Sequence, residues 1–145
     1  MVRISKLADY AVVVLVRLGA GTIETTPGIA QATGLPEPTV AKVLKALAGA
    51  GLVVSQRGAR GGYRLARRLD LVSVAEVVSA IEGPIALTAC VEHSASACEA
   101  EGCCPVRGRW DPVNAAVREA LESVTLAQLA AHPARPTRAH SLQTH

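Results

Sequence analysis

Apolar residues recur with the period of an α-helix near the amino terminus. They lie three or four positions apart, as on one helix face: Ile4, Leu7, Ala8, Ala11, Val12, Leu15 and Leu18. This pattern predicts an amphipathic first helix. A signal peptide would also begin with basic and apolar residues, but here Asp9 precedes a short apolar run that Arg17 ends.

Two further helices are predicted next, with a short turn between them. Thr26 as a capping residue and Pro27 after it predict the start of one helix, which stops at Gly34. The next helix is predicted from about Pro38 to Ala50. It places its apolar residues on one face, namely Val40, Val43, Leu44 and Leu47. Two helices joined by a short turn that contains glycine are typical of a helix-turn-helix motif.

The stretch "LVVSQRGARGGYRLAR" predicts a β-hairpin with a basic, glycine-rich tip. Its strands are predicted at Leu52–Ser55 and Tyr63–Leu65. A helix-turn-helix followed by a basic hairpin indicates a winged helix. The predicted fold class is mainly α with a small β-hairpin, a winged helix-turn-helix plus a long C-terminal dimerisation helix.

The second half of the chain contains two more helix signals. Ser73 stands three residues before Glu76, which predicts a capping box and a helix that ends at Gly83. Asp111 as N-cap and Pro112 predict the start of a helix of about 20 residues, or about 30 Å. Its apolar stripe comprises Val113, Ala116, Val117, Ala120, Leu121 and Val124. Since so small a domain cannot cover a helix of this length, we expect its spare face to contact a second copy.

These signals predict four segments. They are a winged-helix DNA-binding domain at 1–82, a cysteine-rich loop at 83–109, a dimerisation helix at 110–131 and a disordered tail at 132–145. Apolar residues make up 50% of the chain and aromatic residues 2%, so an aliphatic, mostly helical core is expected. No apolar stretch is long enough to span a membrane, and a cytoplasmic protein is expected.

Basic residues are concentrated in the first half of the chain. Residues 1–70 hold ten Lys and Arg against four Asp and Glu, whereas residues 71–145 hold five against eight. This imbalance favours a polyanionic partner for the first half. The predicted contacts to double-stranded DNA are Thr39, Lys42, Lys45, Arg57, Arg60 and Arg64. The alternative is that the charges are only solvated, but they coincide with the predicted helix and wing.

All four cysteines lie within fifteen residues, Cys90 to Cys104. In a reducing compartment such clustering favours metal or redox chemistry over structural disulfides. The gaps are wider than zinc knuckles use, and the adjacent pair Cys103 and Cys104 suits one tetrahedral ion poorly. Spacing therefore favours an iron–sulfur cluster first, a thiol oxidation switch second and a zinc site third.

The chain resembles the iron–sulfur-sensing winged-helix repressors of the IscR/NsrR type, most closely the regulators of SUF cluster assembly. The resemblance rests on "RISKLADYAV", the wing "GLVVSQRGARGGYRLAR", "SVAEVVSAIEG", the loop ending "CPVRGRW" and "VNAAVREALESVTLAQLA". It implies a homodimer that binds a palindromic operator. It also implies an iron–sulfur cluster with two or four irons. The occupancy of this cluster controls DNA binding and thereby the repression of cluster-assembly genes.

The resemblance also assigns cluster ligands residue by residue. Cys90, Cys98 and Cys104 match the three cysteines of the family, which leaves Cys103 as an alternate. Where IscR has a fourth-ligand histidine, this chain has arginine, so the resemblance to NsrR points to Asp9 of the partner subunit. A local alternate for this fourth ligand is His93.

An enzyme is not expected. Three of the four histidines lie in the tail, and the carboxylates are scattered over helix faces. The "GARGG" segment lacks the spacing of a nucleotide-binding loop, and no small-molecule substrate is expected. A regulator with the same fold that senses oxidants through its cysteines, or that holds structural zinc, remains the alternative.

Overall fold

The computed structural model describes residues 2–91, 94, 97–100 and 102–136. Its described part is mainly helical with one two-stranded antiparallel hairpin, which confirms the predicted class, mainly α with a small β-hairpin. The elements in chain order are α1 Lys6–Leu18, α2 Thr26–Thr33, α3 Glu37–Gly49, β1 Val53–Gln56, β2 Gly62–Leu65, a 3₁₀ turn Leu69–Leu71, α4 Val74–Glu82, α5 Asp111–Glu122 and α6 Leu126–Ala131.

Helix α1 forms as its apolar pattern predicts. The hydroxyl of Ser5 caps it by accepting a hydrogen bond from the Ala8 amide at 3.1 Å. One face is buried against α3 and α4. That face comprises Ala8, Ala11, Val14, Leu15 and Leu18. The first helix therefore forms the centre of the winged-helix core.

The helix-turn-helix is present, with small shifts at its ends. The capping residue of α2 is Thr25 and not Thr26, since the Thr25 hydroxyl accepts from the Gly28 amide at 3.1 Å. Gly34 ends the helix in a left-handed conformation with φ of 74°. Helix α3 begins at Glu37, one residue before the predicted start. Its predicted apolar face is buried in full.

The hairpin pairs Val53 with Leu65 and Gln56 with Gly62. Sequence reasoning missed a third segment beside it. Glu24 and Tyr63 exchange two backbone hydrogen bonds, at 3.0 and 2.7 Å. A side chain at Gly62 would lie 2.5 Å from the Glu24 carbonyl oxygen, so glycine is needed for this close approach. The wing is thereby fixed to the segment between α1 and α2.

The prediction of one continuous helix of about 20 residues after the cysteines is wrong. Helix α5 ends at Glu122, and the hydroxyl of Thr125 caps a separate helix in a capping box with Gln128. Asp111 is not the N-cap either, since Trp110 occupies that position and Asp111 is the first helical residue. The chain breaks here because Leu126 turns back into the winged-helix core, where it is fully buried.

Residues 124–126 pair with the start of α4. The Val74 amide donates to the Val124 carbonyl at 2.9 Å, and the Leu126 amide donates to the Val72 carbonyl at 3.0 Å. Helix α6 also contacts α1 and the 3₁₀ turn. The segment 110–131 is therefore not a separate helix outside the winged domain, because its second part completes that domain's core.

Candidate nucleic-acid interface and cysteine loop

The outer face of α3 carries the helix residues predicted to contact DNA. Lys42 and Lys45 are exposed, whereas Thr39 is half-buried near the helix start. Neither lysine forms an ion pair among the described residues. Their ammonium groups are thus available to phosphates or to guanine acceptors in a major groove.

Glu37 is an exposed residue that sequence reasoning did not assign to this face. It occupies the first turn of α3, after Pro36, which offers no side-chain cap. A carboxylate there is favourable for the helix dipole but repels phosphate, and it can accept a hydrogen bond from a cytosine amino group. The "PEP" sequence around it is the signal that could have identified it.

The structure separates the arginines of the wing into two groups. Arg67 forms an ion pair with Glu76 on α4, and Arg68 forms one with Asp70 at 2.7 Å. Partial burial raises the pKa of Glu76, but hydrogen bonds from Arg67 and Ser73 outweigh it and hold that pKa below its ordinary value. These two arginines are therefore already paired within the domain.

The remaining wing arginines carry no ion pair among the described residues. They are the three predicted DNA contacts Arg57, Arg60 and Arg64, and all are exposed. Arg64 donates only a long bond, 3.4 Å, to the carbonyl of Leu65. Together with the two lysines of α3 they give five exposed cations free to meet a polyanion.

The tip between the strands is shaped by its glycines. The Gly61 amide donates to the Gly58 carbonyl at 2.9 Å. A side chain at Gly61 would lie 2.4 Å from the Gln56 carbonyl oxygen, which is backbone and cannot swing away. Arg57 directly precedes this turn and Arg60 lies within it. A thin, basic tip of this kind can enter a narrow minor groove.

The four thiols lie on the cysteine loop, residues 83–109, which contains no helix or strand where it is described. None is in a disulfide. Cys103 is exposed, and the other three are half-buried. Thr88 Oγ1 and Cys90 Sγ lie 3.2 Å apart in a hydrogen bond. The loop thus carries four cysteines that are not in disulfides, of which Cys103 is the exposed one.

Within the described part of one chain, no three histidine, cysteine or acidic side chains come together as a metal site. Cys90, Cys98, Cys103 and Cys104 are therefore near in sequence but not gathered around one point. His93 lies outside the described residues, and Asp9 is exposed on α1. The donor set nonetheless fits an iron–sulfur cluster chemically, because thiolates are the ligands that such clusters take.

Asn114 is a further residue that sequence reasoning missed. It lies on α5 and is 3% exposed. Its side chain bonds to the backbone of Ile85 and Leu87, at the start of the cysteine loop. The sequence signal for its burial was its place on α5 between Val113 and Val117. Periodicity alone, however, assigns a polar residue to the solvent-facing side of a helix.

The outer face of α5 and the segment before it expose large apolar side chains. Trp110 and Val113 are each 45% exposed, and Val106 is 42% exposed. Ala116 and Ala120 on α5 are exposed as well. An apolar surface of this kind on a single chain is typical of a protein contact. The prediction that this helix contacts a second copy stays a prediction.

Comparisons with known proteins agree with this geometry. Residues 4–132 match the family model Rrf2, described as "Iron-dependent Transcriptional regulator". The regulator CymR of Bacillus subtilis is 31% identical over 134 residues, which cover 90% of this chain and 91% of CymR.

Solved structures give the same result. The structure of B. subtilis CymR, "the Global Cysteine Regulator", has a TM-score of 0.68 at 31% identity and covers 90% of this chain and 97% of that one. The structure of T. potens IscR has a TM-score of 0.65 at 27% identity, with 88% and 85% covered. The resemblance to IscR-type regulators is thereby confirmed, as is the expectation of a regulator and not an enzyme.

A membrane-spanning helix is not found in the part of the chain that the structure describes, because each helix there is too short or too polar.

Proposed function

Since this chain belongs to the Rrf2 family of iron-dependent transcriptional regulators, we propose that it represses its target genes under the control of an iron–sulfur cluster. The proposed targets are genes of SUF-type cluster assembly. The DNA-bound form is a homodimer on a palindromic operator, with α3 and the wing of each chain on one half-site. Two half-sites about 34–36 Å apart match this symmetry.

The DNA-binding half of the proposal rests on charge. Five exposed cations on α3 and the wing have no ion pair among the described residues, whereas Arg67 and Arg68 do. A surface that keeps its arginines unpaired at a glycine-bounded tip is suited to phosphates and to the minor groove. Half-buried Thr39, near the start of α3, would contact a base edge.

The sensing half rests on one observation. The four cysteines form no disulfide with one another, and they lie on the segment between the winged-helix core and the amphipathic helix α5. Cys90, Cys98 and Cys104 would hold the cluster, with Cys103 as an alternate and Asp9 of the partner subunit as the fourth ligand. When bound, the cluster supplies a centre sensitive to oxidants and to iron supply.

Anaerobic purification tests this proposal. Visible absorption, iron and acid-labile sulfide are measured on one sample of the wild-type chain and on Cys90→Ala. We expect a coloured dimer with stoichiometric iron and sulfide, and loss of both in the variant. A colourless protein that holds zinc, or no metal after reconstitution, contradicts the cluster.

A second candidate is a regulator controlled by reversible cysteine oxidation. The exposed thiol of Cys103 beside Cys104 favours it, since exposed thiols oxidise readily. Iron-free protein that loses operator affinity on treatment with peroxide, and regains it with dithiothreitol, would establish this candidate over the cluster.

A further inference from the structure

Asn114 is the one buried polar residue in the part of the chain that the structure describes. Its amide group spans two backbone groups of the cysteine loop. Nδ2 donates to the Ile85 carbonyl at 3.1 Å, and Oδ1 accepts from the Leu87 amide at 2.9 Å. Buried polar groups are usually paired in this way because an unpaired one is costly. Both polar atoms of the side chain are therefore paired with specific backbone groups.

The position of these bonds is informative. They join α5 to the loop across 27 and 29 residues of sequence. The loop has no strand or helix of its own where it is described, so it offers few other fixed points. Cys90 follows Leu87 by three residues and is hydrogen-bonded to Thr88 in between.

We propose that Asn114 is a positioning residue that fastens the start of the cysteine loop, and with it the thiol of Cys90, to helix α5. Through this contact, a conformational change in the loop moves α5, and a movement of α5 changes the conformation of the loop. The sensing role of Cys90 rests on the proposed function, whereas the fastening does not.

Amide hydrogen exchange on the reduced, metal-free full-length chain is the first test. In the wild-type chain the Leu87 amide should be protected more than that of Ala86, which donates no hydrogen bond to any of the described residues. Asn114→Ala should accelerate exchange at Leu87 by about tenfold, the effect of losing one hydrogen bond. Glu119→Gln, exposed on the same helix, is the matched control and should change nothing.

Cysteine alkylation then tests the effect on Cys90. With Cys98, Cys103 and Cys104 replaced by serine, Asn114→Ala should raise the rate at which iodoacetamide modifies Cys90, and Glu119→Gln should not. An unprotected Leu87 amide in the wild-type chain overturns the proposal even if Asn114→Ala does not fold. Acceleration spread equally over the core amides of α3 overturns it too, because Asn114 would then serve only global stability.

The two proposals fail separately. Absence of iron and sulfide from the wild-type chain would refute the cluster but leave the Leu87 and Cys90 results intact. A normal cluster in a chain whose Leu87 amide is unprotected would refute only the fastening.

Discussion

Replacing Arg60 by alanine should reduce the salt dependence of operator binding by a definite amount. Binding to DNA releases counterions, so the logarithm of affinity falls with the logarithm of salt by about 0.9 for each phosphate neutralised. On α3 and the wing, the exposed cations without an ion pair among the described residues are Lys42, Lys45, Arg57, Arg60 and Arg64. Five contacts in each chain of a dimer give a slope of about −9. Removal of Arg60 from both chains should change it to about −7.

Arg68→Ala is the matched control. Arg68 is an exposed arginine close to the same wing, but it is paired with Asp70 at 2.7 Å. Fluorescence anisotropy with labelled operator between about 50 and 200 mM salt measures both variants. We expect the Arg68 variant to keep the wild-type slope.

The reasoning is refuted if the Arg68 variant lowers the slope as much as the Arg60 variant does. The division of the arginines into paired and unpaired groups would then not decide which of them meet DNA. Arg60→Ala should also weaken the preference for AT-rich flanking sequence, because a narrow minor groove attracts arginine. A flank preference equal to that of the wild-type chain would mean that Arg60 contacts only phosphate.

Three further predictions concern the scaffold. Leu126→Ala should lower the free energy of unfolding by about 2–5 kcal/mol in urea denaturation, since Leu126 is fully buried, whereas Leu129→Ala at an exposed position of α6 should cost far less. Gly61→Ala should weaken operator binding by about tenfold, or about 1.4 kcal/mol, without a matching loss of stability, because its side chain would collide with backbone at the tip. Gly49→Ala, with open space around it, is the control and should bind normally. The folded pKa of Glu76 lies below its ordinary value of 4.5, so the ionised side chain stabilises the fold at pH values above 4.5. This contribution should disappear as the pH falls through the lower folded pKa. As the pH is lowered, the free energy of unfolding measured in urea should therefore fall less in Glu76→Gln than in the wild-type chain. An equal fall in both would contradict the role of the ion pair with Arg67.

Local sequence signals predicted the winged-helix core well. The apolar face of α3 is buried as its period indicates, and Ser73 with Glu76 forms the predicted capping box. Both features depend on residues within one or two helical turns of each other. The bridge between Glu24 and Tyr63 was missed because a single paired residue leaves no alternating pattern.

The break between α5 and α6 was missed for a different reason. The apolar stripe of α5 continues to Val124, so the period alone predicts one helix. Thr125 and Gln128 have the spacing of a capping box, which predicts a new helix start. This prediction conflicts with the single continuous helix that the stripe predicts. Burial of Leu126 in the distant core decides the outcome, and no local pattern encodes a distant contact.

The candidate metal site was the least predictable feature. Its proposed ligands come from a loop without a period and, for Asp9, from a second chain. Neither source fixes where the side chains meet, and in one chain the thiols do not gather among the described residues. The sequence could therefore indicate the kind of ligand but not the arrangement.

The return of α6 to the core changes how the sensing segment relates to the DNA-binding surface. The cysteine loop and α5 leave the winged domain after Gly83 and rejoin it where Thr125 pairs with Ser73. Both ends are thus held at α4, and α4 contacts α5 on one side and α3 on the other. A displacement of α5 therefore acts on α4 through direct packing. Since close-packed elements transmit strain, a change at the loop has a continuous packed route to the recognition helix within one chain.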